Sequence, residues 1–67
     1  MSKTKKELAK EMLTRAKEEV LGDEIMEQYF QRKVISGSKV YEQALGQTQA
    51  KIKEKREIIK FLEEVFQ

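Results

Sequence analysis

Val34-Ile35-Ser36-Gly37-Ser38-Lys39-Val40-Tyr41 is the stretch on which the fold turns. The chain has no proline and only three glycines, so it offers few places to reverse direction. Ser36-Gly37-Ser38 is the clearest of them. Gly37 supplies the left-handed residue that commonly follows a helix, and Ser38 is a ready N-cap for the next one. Folding the chain there brings its apolar blocks into line. Val34 and Ile35 face Val40 and Tyr41, and Tyr29 and Phe30 face Ala44 and Leu45. Further out, Ala16 meets Ile58, Leu13 meets Phe61, Met12 meets Leu62 and Leu8 meets Phe66.

Both sides of this turn read as helix. Glu, Lys, Gln, Leu and Ala dominate, and no run of alternating β-branched residues suggests a strand. Downstream, one long helix is expected over 39–66. Its seam alternates steps of four and three through Tyr41, Leu45, Thr48, Ile52, Lys55, Ile59, Leu62 and Phe66, the spacing of a coiled coil with Thr48 and Lys55 as polar interruptions. Gly46 weakens this helix by about 1 kcal/mol relative to Ala or marks a bend.

Upstream, two helices are expected, over 4–21 and 24–35. Thr4-Lys5-Lys6-Glu7 has the form of a capping box at the first N-terminus. Leu8, Met12 and Ala16 form one stripe, and Ala9, Leu13, Ala16 and Val20 its neighbour. Gly22 stands where a helix would end, and Asp23 where the next would be capped. Ile25, Met26, Tyr29, Phe30, Val34 and Ile35 give the second helix a broad apolar face. The expected architecture is therefore all-α: a helical hairpin with one bent arm, in a single small domain. The competing arrangement is a compact three-helix bundle folded again at Gly22. It would leave the 58–66 block projecting past its neighbours.

Composition narrows the chemistry. With 67 residues and no Cys or His, the chain has no thiolate zinc site, disulfide, imidazole base or HExxH pair. Ser and Thr then lack an activating base, the lysines lie among polar neighbours, and no phosphate-binding loop is present. Asp23, Glu24 and Glu27 cluster, but acidic residues in a first turn complement a helix dipole without any metal. No enzyme activity, cofactor or small-molecule substrate is expected.

Fourteen basic and twelve acidic side chains leave a net charge of +2. Residues 1–22 carry six basic and four acidic groups, 23–38 two and three, and 39–67 six and five, so no segment has a dominant sign. Leu, Ile, Val and Phe together number 17, enough and regular enough to favour a folded chain over a disordered one. No segment is apolar enough for a membrane span or a signal peptide, and a soluble, cytoplasmic protein is expected.

Function follows from what the hairpin leaves uncovered. Six of the nine residues from Ile58 to Phe66 are apolar. A two-armed hairpin cannot cover them all, and exposed apolar patches mark interaction sites. Two hairpins packed as a four-helix bundle would bury them, so a homodimer is expected. The expected role is a small non-enzymatic interaction protein that binds and modulates or bridges another protein through Ile58, Phe61, Leu62, Val65 and Phe66. The alternative is a nucleic-acid-associated regulator using Lys51, Lys53, Lys55 and Arg56, although Glu54 and Glu57 interrupt that basic run.

Overall fold

The computed structural model describes residues 2–65 and consists of two helices, α1 (Lys5–Ile35) and α2 (Tyr41–Val65), packed antiparallel as a hairpin. It is a rod measuring 52 × 20 × 13 Å. The radius of gyration, 15.5 Å, exceeds the roughly 11 Å of a compact domain of this length.

α1 begins at the expected cap. The Glu7 amide donates to Thr4 Oγ1 at 3.2 Å, and the Thr4 hydroxyl meets the Glu7 carboxylate at 3.2 Å. At its other end the chain leaves α1 through a paired-bond turn. The Ser38 amide donates to the Lys33 carbonyl and the Gly37 amide to the Val34 carbonyl, both at 3.0 Å. Gly37 has φ +98°, a conformation that a Cβ disfavours, and it alone among the described residues has positive φ.

The largest departure from expectation is at Gly22. No break occurs there: α1 is one helix of 31 residues, so neither a bent arm nor a three-helix bundle forms. Asp23 lies mid-helix rather than at a cap. The reason is phase. The stripe Ala9, Leu13, Ala16, Val20 continues through Asp23, Glu27, Phe30 and Val34 with the same steps of four and three, and all eight are buried or half-buried. A helical glycine costs about 1 kcal/mol. Breaking the seam would give up the packing of everything beyond it.

α2 matches its expected seam. Tyr41, Leu45, Thr48, Ile52, Lys55, Ile59 and Leu62 are all buried or half-buried, while the rest of the helix, Ala44 apart, is exposed. It runs unbroken through Gly46. Its start is at Tyr41 rather than Lys39, because Ser38–Tyr41 forms a tight turn closed by the Tyr41 amide on the Ser38 carbonyl at 3.2 Å. Ser38 therefore contributes its carbonyl at this point. Val40 is left outside the helix, and Ile35 lies one step off the α1 seam. They are 85% and 84% exposed and do not pack against the opposite arm as expected.

The two arms meet in one register along the rod. Near the turn, Tyr29, Phe30 and Tyr41 cluster with ring centroids 5.7–6.1 Å apart, Tyr29 and Tyr41 edge to face. Toward the open end, Met12, Ala16, Ile58 and Leu62 line one cleft, as the folded alignment anticipates. Phe66, the last expected seam residue, lies outside the described residues.

Gly46 is helical, and a methyl group added there would meet nothing within 4 Å, so filling the position should raise stability. Gly46→Ala is expected to add about 0.5–1 kcal/mol, and Gly37→Ala, at φ +98°, to remove about as much or more. Urea unfolding of the two variants side by side checks both signs.

Candidate interaction surface

The seam is interrupted by charge at mid-length. Lys55 Nζ donates to Asp23 Oδ2 at 2.7 Å and lies 3.6 Å from Glu19. Beside it, Arg56 binds Glu24 at 3.0 Å. These contacts give the cluster at Asp23 and Glu24 its role: they are partners for basic residues on α2, not a first-turn dipole complement. Thr48, the other polar seam residue, is buried, and its hydroxyl donates to the Ala44 carbonyl of its own helix at 2.9 Å. No buried side-chain nitrogen or oxygen is left without a hydrogen bond among the described residues. Opposite charges four residues apart at Glu11–Arg15, Arg15–Glu19, Lys53–Glu57 and Lys60–Glu64 do not close to ion-pair distance. Glu11 pairs instead with Lys3.

The hydrogen bond from Lys55 to Asp23 holds the Lys55 amine above its ordinary value of 10.5. Partial burial opposes this, and the charges of Asp23 and Glu19 add to it.

The four basic residues suggested for nucleic-acid contact are not brought together. Lys55 is in the seam with Asp23, and Arg56 pairs with Glu24. Lys53 and Arg56 line one side of the hairpin with Glu27 and Glu57. Lys51 opens onto the other side, next to Glu54 and Glu19. Among the described residues no group of three or more acidic side chains is placed to hold a metal ion, and no helix is long and apolar enough to cross a membrane.

The apolar candidates divide differently. Leu62 is only 5% exposed and belongs to the seam, so it is a core residue of the hairpin rather than a free anchor. Ile58, Phe61 and Val65 are exposed, Phe61 most of all at 62%. They follow one another at steps of three and four along α2, beside the seam. On α1 the matching stripe holds Leu8 and Met12, then Met26 and Tyr29, all exposed. A cleft lined by Met12, Arg15, Glu19, Lys51, Glu54 and Ile58 joins the two stripes on one side of the rod.

One broad face thus carries an apolar block at the open end, a band of charge at mid-length, and a smaller apolar block by the turn. Sequence spacing alone contains this face. Leu8, Met12, Met26 and Tyr29 fall on one line once Gly22 is read as helical. Comparison with protein-family models, with curated proteins and with solved structures finds no match to this chain.

Because the amine of Lys55 is raised, the pair's contribution is complete below the unfolded lysine value and is lost as pH climbs through the folded one. Thermal stability should therefore fall as pH rises above 10.5. Lys55→Met should flatten that slope relative to the unaltered chain. Melting curves from neutral pH to the alkaline limit would check it.

Proposed function

We propose that this chain is a non-enzymatic helical interaction protein, which associates with itself as a four-helix bundle and binds another protein that it bridges or modulates. The observation that carries this reading is surface area. The chain exposes 5659 Å², whereas a compact folded chain of 7.9 kDa exposes about 4,400 Å². The excess, roughly 1,200 Å², is comparable to the 800 Å² or so that each partner contributes to a standard protein interface.

Apolar side chains at helical spacing are the usual anchors of such contacts. Leu8, Met12, Ile58, Phe61 and Val65 have the spacing and the exposure, and Leu62 supports them from beneath. The absence of His and Cys from the sequence favours stoichiometric binding over catalysis. The mixed and divided basic run of α2 favours a protein partner over nucleic acid.

A photo-crosslinking residue placed in turn at Phe61, Val65 and Lys53, in the cell of origin, tests the reading. The apolar-face positions should yield a self-adduct and at least one discrete heavier adduct, and Lys53 should yield neither. Adducts only to self would refute the second partner. No adduct at any position would refute the interaction role altogether.

A further inference from the structure

We infer that the occupant of the apolar face is a second copy of this chain turned end for end, with α1 lying on the partner's α1 and α2 on the partner's α2. The two-fold axis crosses the rod level with Lys17 and Ile59. This rests on the interaction reading above and adds the partner, its orientation and its register.

Heights along the face follow from the hairpin's own contacts. Lys55 reaches both Glu19 and Asp23, so it stands level with the residue midway between them, and the two arms can be matched from there. On α1 the face carries Leu8, Met12, Arg15, Glu19, Gly22 and Met26, at alternating steps of four and three. On α2 it carries Val65, Phe61, Ile58, Glu54 and Lys51, at the same steps. Two such stripes laid antiparallel interlock only at offsets one heptad apart.

One of these offsets sets like against like on both helices. With the axis level with Lys17, Arg15 of each chain meets the partner's Glu19. Met12 meets the partner's Gly22, and Leu8 meets the partner's Met26. On α2 the same axis is level with Ile59, half a residue from the midpoint of Ile58 and Phe61, a difference of about 1 Å or less. Ile58 of each chain therefore meets the partner's Phe61. Glu54 comes beside the partner's Val65 at the outer limit of this stretch, and Lys51 lies beyond it. Every contact occurs twice by symmetry.

The other arrangements set charge against apolar surface. A shift of one heptad in either direction puts Arg15 on the partner's Met26 or on its Met12. Packing with both turns at the same end lays α1 on α2, where Arg15 is level with the partner's Phe61 and Glu19 with its Ile58. A charge covered without a countercharge is costly, and only the first arrangement gives each of these two a countercharge. Among the described residues Arg15 has no ion pair within its own hairpin, and Lys55 keeps Asp23 at 2.7 Å when Glu19 turns outward.

Gly22 is an independent observation. It is exposed in the middle of α1, its φ is not positive, and a methyl group added to it would meet nothing within 4 Å. A glycine weakens a helix, and nothing within the hairpin calls for one here. A notch that receives the partner's Met12 does. The area suits one such contact, because an interface of standard size would remove the surplus from each chain. Among the described residues no large side chain is fully buried within one hairpin.

The chain has no cysteine, so a single engineered one takes a spin label unambiguously. Light scattering at micromolar concentration should give twice the 7.9 kDa chain mass. In Lys39→Cys the labels lie at opposite ends of the dimer, each about 20 residues of helical rise from the axis, and pulsed dipolar spectroscopy should read about 60 Å. A distance of roughly 20–35 Å, two to three helix diameters, would overturn the orientation. A monomer, or any stoichiometry other than two, would overturn the second copy itself and leave the interaction role to be judged by the heavier crosslinked adduct.

Arg15→Glu and Glu19→Arg should each raise the dimer dissociation constant by at least about tenfold. Mixing the two variants should give a heterodimer within about threefold of the unaltered affinity. A mixture no tighter than either variant alone would overturn the pairing of Arg15 with Glu19. Gly22→Leu should raise the dissociation constant about tenfold while leaving the chain at least as helical by circular dichroism. Gly46→Ala, which lies off this face, should not weaken the dimer. Unaltered association of Gly22→Leu would overturn the register.

Discussion

A helix in a two-helix rod has only one neighbour, and the architecture of this chain depends on that constraint. One seam of contact, with steps of three and four, is all that α1 and α2 share. Each helix nevertheless carries apolar side chains over a wider arc than one neighbour can cover. The seam takes Ala9, Val20, Ile52 and Leu62 below a tenth of their exposure. Leu8, Met12, Ile58 and Phe61 lie one position to the side and remain in water. Uncovered surface is a consequence of the helix count, not of poor packing.

The same constraint explains the polar centre of the seam. Asp23, Glu27, Thr48 and Lys55 occupy positions that Leu or Ile would fill in a purely stabilising sequence. Partly buried ion pairs contribute little net stability, because desolvation offsets much of their attraction. What they supply is alignment. An apolar seam of regular spacing tolerates slippage by one heptad, which would leave Lys55 without Asp23 and both groups unpaired in a half-dry groove. The aromatic cluster at Tyr29, Phe30 and Tyr41 fixes the turn end, and the Lys55–Asp23 pair fixes the middle. Between them they permit one register.

Much of this is legible in the sequence, and the part that is not has a specific cause. The α2 seam can be read directly because Thr48 and Lys55 interrupt an otherwise apolar series singly. On α1 the polar members, Asp23 and Glu27, follow Gly22 in quick succession, and together they imitate a helix stop followed by a new cap. The discriminating signal is the phase of Phe30 and Val34, which continues the series begun at Ala9. A true break would have reset it. Leu62 reads as a free anchor for a related reason: an apolar block of six residues does not by itself say which members face the other arm. Seam arithmetic does, and it assigns Leu62 inward and Phe61 outward.

Continuity through Gly22 is also what makes the outer face a single surface. Were α1 broken there, the stripe that begins with Leu8 and Met12 would leave the line of Met26 and Tyr29, and Arg15 and Glu19 would border a joint. With α1 continuous, both apolar blocks and the charged band between them lie along one side of the rod, in step with the corresponding stripe of α2. The glycine itself falls within that stripe, where the absent side chain leaves the mid-length of α1 low. A residue that looks like punctuation in the sequence therefore shapes the surface: the helix runs on through it, and the charged centre of the face is left low beside it.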